Sequence, residues 1–566
     1  MTVDLAAAPW RNAYPPGLTP DVDLRGFPVH SIVDRAAAEW GDREAVVFRD
    51  RRMSFAELKG DADRAARAFL AAGLGKGTRM ALLMPNTIWH PVAFFGALKA
   101  GATVVHLSPI DAERVVLHKL ADSGARILVT TNIGDLAMRA AALLAAGAID
   151  LLLVGDDTAF GPSPHTGEMP KGNGIRSLAD FLDSGPQRAD SVSQQVDSFP
   201  EVGLDDIALL QYTGGTTGMP KGAMLTHRNI STSVESYDLW AHAFGSMRRG
   251  RERVLLFLPL FHIYGLSTVM LRCVLNGHAI LLHTRFDPHI ALAEIEAGAT
   301  IFPGVPTMWI AIAAMHGFET RDYSSLHHCG SGGAPLPVEI AHRLKAATGH
   351  DLLGGWGMTE TSPAGTNIPP TRPDKIATIG VPLPGIWLDV VALDDTARVL
   401  PQGETGELRV FGPNVTAGYL NHADENRATF SGGGFLTGDI GFMDEEGFFT
   451  IVDRKKDMII SGGFNVYPQQ IEQAIYEHPD VEEVLVIGID DRYRGEAAKA
   501  FVKLRDGAPR LTLESLRAFL EPRLGRHEMP AALEIRDALP RTPVGKLSKL
   551  ELKQEEAARH IAAHAS

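Results

Sequence analysis

Between residues 79 and 154 the chain alternates short apolar, β-branched runs with stretches of helical periodicity. Arg79–Met84 (RMALLM) leads into an amphipathic segment ending near Ala100, and Thr103–Leu107, Ile127–Thr130 and Ile149–Val154 follow. Strands separated by helix-length connections do not close as hairpins. They pair in parallel, and the intervening helices cover the faces of the sheet. This feature constrains the first part of the chain more than any other: it predicts α/β layering with mostly parallel strands.

The texture then changes twice. Residues 155–205 shift to Gly, Pro, Ser, Asp and Gln with little periodicity, the pattern of a surface loop or linker. From near Asp389, short strands with Gly-rich turns (388–393, 406–411, 447–452) predict a more β-rich portion. A charged break, Arg454-Lys455-Lys456-Asp457, precedes a compact α+β pattern with strands at 484–489 and 497–503 and a helix at 513–520. The expected organisation is a large α/β N-terminal domain over residues 1–453 and a small C-terminal α+β domain over 454–566. No internal repeat at a solenoid period is present.

Composition narrows the partners. A net charge of −14 argues against general nucleic-acid binding, which needs a basic footprint, although a local basic patch can still hold a small anion. Two cysteines, Cys273 and Cys329, are too few for a disulfide framework or a thiolate metal site and read as buried structural thiols. The first residues lack a basic region followed by a long apolar stretch, so a cytoplasmic location is expected. Val254–Leu271 and Ala297–Phe318 are uncharged, but Pro259, His262, Gly265, Pro303, Gly304 and Pro306 interrupt them. They read as buried strands joined to helices rather than as membrane spans; peripheral membrane contact and a homodimer remain open.

The most informative segment is Tyr212-Thr213-Gly214-Gly215-Thr216-Thr217-Gly218-Met219-Pro220-Lys221-Gly222. It follows the apolar run Ile207–Leu210, so the glycines open directly after a strand. Glycines permit close backbone approach and expose N–H groups to an anion; the threonine hydroxyls and Lys221 add donors. Pro220 argues against direct continuation into a helix, and the spacing is not that of a Walker A loop.

This segment resembles the phosphate-binding signature of the adenylate-forming superfamily, which includes acyl-CoA synthetases, luciferases and peptide-synthetase adenylation domains. With Gly214 where many members carry Ser, it is most similar to bacterial long-chain fatty acyl-CoA ligases, and the similarity continues in order beyond Ile32. The resemblance implies an ATP site that includes Thr213, Gly214, Gly215, Thr216, Thr217, Gly218 and Lys221. In Gly355-Trp356-Gly357-Met358-Thr359-Glu360 it implies an aromatic against the adenine, a threonine on phosphate and a glutamate that helps hold Mg²⁺, with Thr213 assigned to the metal as well. Trp356 stands where Tyr is commoner, which keeps a stacking face and loses a phenol.

Gly333, Ala334 and Pro335 resemble the segment that flanks the adenine and walls the acyl pocket, where Val305, Met308 and Trp309 are further candidates. Asp439 matches the aspartate that accepts the ribose hydroxyls, and Arg454 the arginine that reaches the same ribose. Lys456 occupies the position of a hinge about which the small domain swings between two catalytic poses. Gly463, in Ser461–Pro468, matches the residue whose missing side chain opens the path for the pantetheine thiol. Lys546, in Pro540–Lys546, matches the lysine that bridges the carboxylate and the α-phosphate. His262, in Leu258–Gly265, falls where the family places an aromatic or His near the acyl carboxylate.

The resemblance thus implies a medium- or long-chain fatty acyl-CoA ligase that uses ATP and Mg²⁺, with coenzyme A as co-substrate. The alternatives are a dicarboxylate or aryl-acid ligase, an adenylating enzyme that loads a carrier protein, and a retired synthetase serving as an acyl or nucleotide sensor. Retention of Lys221, Glu360, Asp439, Arg454 and Lys546 together speaks against the sensor.

Overall fold

The computed structural model describes residues 8–163, 165–185, 198–213, 219–333, 338–461, 464–491, 494–541 and 547–564. The chain divides into two compact units, Met1–Trp387 with Val410–Gly433, and Leu388–Arg409 with Gly434–Ser566.

Two large sheets form the frame of the first unit. Among the described residues, one runs Ile175–Ser177, Leu151–Gly155, Ile127–Thr131, Arg79–Leu83, Thr103–Leu107, Ile207–Thr213, Lys221–Thr226. The other runs Leu352–Gly354, His328–Ser331, Ile301–Gly304, Arg253–Leu256, Ala279–Leu282, Glu44–Phe48, Arg51–Ser54. Each is parallel except for one antiparallel edge strand added by a hairpin. The strands expected between residues 79 and 154 are all present, within two residues at each end.

One face of the first sheet packs Leu83, Val105, Leu107, Leu128 and Leu152 against Val116 and Leu120 of one helix and Ala137, Ala140 and Leu143 of another. Burying one such Leu or Val contributes about 1.5–3 kcal/mol, so this face supplies a large share of the unit's cohesion.

Two expectations need correction. The segment expected to be amphipathic and to end near Ala100 is the helix Trp89–Lys99, and all of its residues are buried. Gly96 lies so close to Ala65 of the helix Phe55–Ala71 that a side chain there would collide, which brings the second helix over the face that would otherwise be wet. Lys99, the one charge on the helix, is buried with its ammonium on Asp34 (2.6 Å) and Asp63. The segment read as a loop over 155–205 also contains the 3-10 turn Asp157–Phe160, the edge strand Ile175–Ser177 and the helix Leu178–Asp183. Short elements of three to six residues leave too little periodicity to read.

The uncharged stretches resolve as expected into strand plus helix: Arg253–Leu256 with the π-helical Tyr264–Leu271, and Ile301–Gly304 with Pro306–Ala313. Among the described residues no helix is long and apolar enough to cross a membrane. Cys273 and Cys329 are free and buried, and burial pushes both thiols up to about 12.

The second unit holds the predicted β-rich portion and the α+β pattern. In one sheet Gly406–Phe411 lies between Trp387–Val391 and Gly434–Met443, which pairs antiparallel with Phe449–Arg454. In the other, the long antiparallel pair Val481–Asp491 and Gly495–Leu504 alternates its faces. Val484 and Val486 pack on Ile471, Ile475, Leu516 and Leu520, while Leu485 and Ile487 pack on Leu539 and Leu552.

Candidate active site

Four of the candidate segments emerge from carboxyl ends of parallel strands. Thr213 ends Ile207–Thr213, the Leu258–His262 turn follows Arg253–Leu256, Gly332-Gly333 follows His328–Ser331, and Gly355–Glu360 follows Leu352–Gly354. In open α/β sheets this end is where ligands bind, because the loops there are free of ladder constraints while the strands hold their roots.

The antiparallel pair Ile207–Thr213 and Lys221–Thr226 sets Thr213 opposite Lys221. The proline signal was sound: a strand, not a helix, follows Pro220. Lys221 Nζ makes a 2.7 Å ion pair with Glu425 and lies 5.8 Å from the centre of the Tyr419 ring. The Tyr419 hydroxyl donates to Glu360 Oε1 at 2.7 Å within the protein. Glu360 is 5% exposed, in the 3-10 turn Thr359–Thr361. The structure therefore joins Thr213, Lys221 and Glu360 in one series of contacts through Tyr419, with Glu425 also on Lys221; sequence reasoning missed both Tyr419 and Glu425. A single buried carboxylate beside a threonine and a lysine fits Mg²⁺ delivered with polyphosphate, since this ion keeps much of its shell and needs few protein ligands.

The glycines around Trp356 have a steric reason. A Cβ on Gly357 would overlap the Pro363 carbonyl oxygen, and one on Gly355 would press on that of Thr366. Trp356 exchanges backbone hydrogen bonds with Thr366 (3.2 and 2.8 Å), and one face of its buried ring lies on Gly365, where any side chain would collide. Met358 donates its backbone N–H to Thr361 Oγ1 (3.1 Å), which fixes the start of the turn that carries Thr359 and Glu360. Gly333 is exposed with φ of 82°, and Tyr264 lies 3.1 Å from where a Gly332 side chain would begin. Val305, Met308 and Trp309 are buried, with Trp309 Nε1 donating to the Gly330 carbonyl (3.0 Å).

His262 sits on a turn at the end of a second-sheet strand, gripped from the first sheet by two residues. Asn86, just past Arg79–Leu83, donates to the carbonyls of Leu258 and His283 (both 3.0 Å) and accepts from Leu260 N–H (2.8 Å). Gln211, two residues before Thr213, donates to the Phe261 carbonyl (2.9 Å) and has its amide oxygen 3.0 Å from His106 Nδ1. Burial lowers His106 to about 4, so the ring is neutral at pH 7 and Nδ1 is the donor to that oxygen. The His262 ring accepts from Tyr264 N–H at Nδ1 (3.3 Å). No motif announces Asn86 or Gln211; a lone polar residue at a strand end inside an apolar stretch is the signal that was available.

The remaining described candidates belong to the second unit. Asp439 and Arg454 face each other across the antiparallel pair Gly434–Met443 and Phe449–Arg454, and their side chains form a 2.7 Å ion pair. Two groups assigned to the ribose thus meet each other, with Asp439 2% and Arg454 45% exposed. Lys456 lies in the turn after this strand, where Asp457 and Met458 donate to the Arg454 carbonyl. Burial lowers its amine below the usual lysine range, and Arg454 adds to the effect. Lys455 pairs with Glu407 (2.7 Å), and Lys553 of the final helix reaches Asp457 (2.6 Å). Gly214, Gly215, Thr216, Thr217, Gly218, Ala334, Pro335, Gly463 and Lys546 lie outside the described residues.

These folds and sites have known relatives. The AMP-binding enzyme family matches residues 33–420, and the AMP-binding enzyme C-terminal domain matches residues 470–546. The chain belongs to the AMP-binding enzymes. It is 35% identical over 559 residues to a long-chain-fatty-acid–CoA ligase of Bacillus subtilis (strain 168), covering 98% of this chain and 99% of the relative. It is 36% identical over 504 residues to a feruloyl-CoA synthase of an Amycolatopsis species, covering 89% and 94%. Among solved structures, ATP-bound MatB from Rhodopseudomonas palustris superposes with a TM-score of 0.81 at 26% identity, covering 93% and 98%. The o-succinylbenzoate CoA synthetase of Bacillus subtilis, in complex with its acyl-adenylate, gives 0.77 at 27%, covering 92% and 97%.

Proposed function

We propose that this protein is an ATP-dependent, AMP-forming acyl-CoA ligase acting on medium- to long-chain fatty carboxylates. The observation that carries the reading is the contact series Thr213, Lys221, Tyr419 and Glu360 at the strand ends, in a chain related along nearly its whole length to long-chain-fatty-acid–CoA ligases.

In the first half-reaction a carboxylate oxygen attacks the α-phosphorus of ATP; the bond to pyrophosphate breaks and an acyl-adenylate forms. Two anions must meet, so positioned cations and donors lower the barrier more than any covalent help from the protein. Lys221 and residues 214–218 bind the outer phosphates, with Glu425 released as they arrive. Lys546 bridges the carboxylate and the α-phosphate. Trp356, with Gly355, Gly357 and Gly333, frames the adenine, while Thr359 contacts phosphate. Asp439 and Arg454 hold the ribose. Mg²⁺, held by Glu360 with Thr213 nearby, neutralises phosphate charge when bound.

In the second half-reaction the thiol of coenzyme A attacks the acyl carbonyl, the bond to AMP breaks and the thiol proton passes to solvent. We assign this step to a second pose of the small domain (residues 454–566), reached by backbone rotation at Lys456 and bringing Gly463 to the thiol path. His262 positions the acyl carboxylate from its clamped turn.

The reading places the enzyme in the cytoplasm. Peripheral membrane contact, which an apolar acid favours, is tested by vesicle flotation, and a homodimer by light scattering. AMP release measured across short, medium and long fatty acids, dicarboxylates and aryl acids tests the substrate. Highest kcat/KM with medium or long fatty acids is expected; highest kcat/KM with dicarboxylates would overturn the fatty-acid assignment. The feruloyl-CoA synthase relative supports one second reading, an aryl-acid ligase, for which a cinnamate would be the best substrate.

A further inference from the structure

We infer that Tyr419 is the positioning residue that sets the metal-bearing carboxylate of Glu360 and ties it to the phosphate-binding Lys221. The inference rests on the proposed function, in which Glu360 and Lys221 serve the same polyphosphate. Its basis is the placement of Tyr419. The segment 417–420 lies beside the Lys221 strand: Met224 N–H donates to the Gly418 carbonyl (2.8 Å), and Leu420 N–H to that of Gly222 (2.9 Å). Asn426 accepts from Tyr419 N–H (2.7 Å) and donates to the Tyr419 carbonyl (2.9 Å). Asn229 holds the carbonyls of Pro413 (2.8 Å) and Val415 (2.7 Å) from its helix. Thr416 N–H donates to the Glu360 backbone carbonyl (2.7 Å), so the tyrosine segment and the glutamate turn are joined through backbone as well as side chain.

With its backbone fixed on both sides, Tyr419 sets its ring between Glu360 and Lys221. Its edge reaches Glu360 Oε1 through the hydroxyl, and its face lies 5.8 Å from Lys221 Nζ. A phenol donating to a buried carboxylate fixes the rotamer of the acid and so the direction in which it meets a metal. A ring beneath an ammonium holds that charge on the phosphate side without neutralising it. The two contacts make one rigid piece from a strand, a turn and a loop that the sequence spaces far apart.

The test is Tyr419→Phe, which keeps the ring and removes the hydroxyl. Mn²⁺ affinity is read by electron paramagnetic resonance on the full-length protein with α,β-methylene-ATP, beside the Mg²⁺ dependence of ATP–pyrophosphate exchange. We expect Mn²⁺ binding weakened about tenfold and the Mg²⁺ requirement raised by the same factor, with thioester formation from supplied acyl-adenylate unchanged. Wild-type Mn²⁺ affinity in Tyr419→Phe, with an unchanged melting temperature, would overturn the inference. Loss of folding shifts the comparison to Tyr419→His, which offers a donor of different reach; metal affinity there equal to that of a folded Tyr419→Leu would also overturn it. Glu360→Gln separates the two levels. If Glu360→Gln leaves Mn²⁺ affinity untouched, the metal assignment of the proposed function fails; if Glu360→Gln weakens it and Tyr419→Phe does not, only the present inference fails.

Discussion

In the first unit, His262 stands on a turn whose carbonyls and N–H groups are taken up by the buried amides of Asn86 and Gln211. In the second, Lys456 stands on a turn fastened by two long, half-exposed lysines, Lys455 on Glu407 and Lys553 on Asp457. Buried amide hydrogen bonds are costly to leave unmade, about 1–3 kcal/mol each, whereas partly exposed ion pairs are worth about 0–1 kcal/mol. The first turn is thus held by buried amides, and the second by half-exposed lysines together with backbone hydrogen bonds to the Gly438 and Arg454 carbonyls. On the proposed function, that difference would suit a reaction in two steps in which rotation at Lys456 exchanges Lys546 for Gly463.

The comparison can be broken at several points. The largest effect is expected at Asp439, in the second unit. Asp439→Asn keeps the size, removes the charge that faces Arg454, and should raise the KM for ATP about 100-fold if two ribose hydroxyls rely on the carboxylate. A change under threefold in steady-state kinetics would mean that the Asp439–Arg454 pair is only a strand-to-strand tie. In the first unit, Asn86→Ala should cost about 2–4 kcal/mol in urea unfolding, because it leaves the carbonyls of Leu258 and His283 and the N–H of Leu260 without their partner. A loss below about 0.5 kcal/mol would show that the turn is not locked.

A smaller effect concerns acid. His106 is neutral in the folded chain, lowered to about 4 by burial, against about 6.5 when unfolded. The unfolded chain binds the extra proton, so stability present above pH 6.5 falls as pH drops toward 4. Between pH 7.5 and 5.5 this one ring accounts for about 1.4 kcal/mol, and His106→Gln should lessen the pH-dependent loss by that amount. His90 and His227, also lowered by burial, add to the slope in the wild type. Equal slopes for His106→Gln and wild type in denaturant titrations would contradict the assignment.

How far the site could be read from the sequence follows the same divide between local and distant contacts. Thr213 and Lys221 stood out as candidates because glycines, threonines and a lysine share one short segment, and Glu360 because it closes a Gly-Trp-Gly string. The parallel strands were legible because their apolar runs recur at helix-length spacing. Tyr419, Asn86 and Gln211 were not, since each acts on a partner 50 to 172 residues away and only folding brings them together. The helix Trp89–Lys99 was misjudged for a related reason: its polar positions are covered by a second helix and by Asp34 and Asp63, which local periodicity does not record.

The central claim of the proposed function is that the two half-reactions use different residues of the small domain, Lys546 in the first and Gly463 in the second, and Lys546→Ala tests it most directly. ATP–pyrophosphate exchange and thioester formation from supplied acyl-adenylate are measured on the same preparation. The account predicts that exchange falls about 1000-fold while thioester formation stays within about threefold of wild type. Equal loss in both would contradict it.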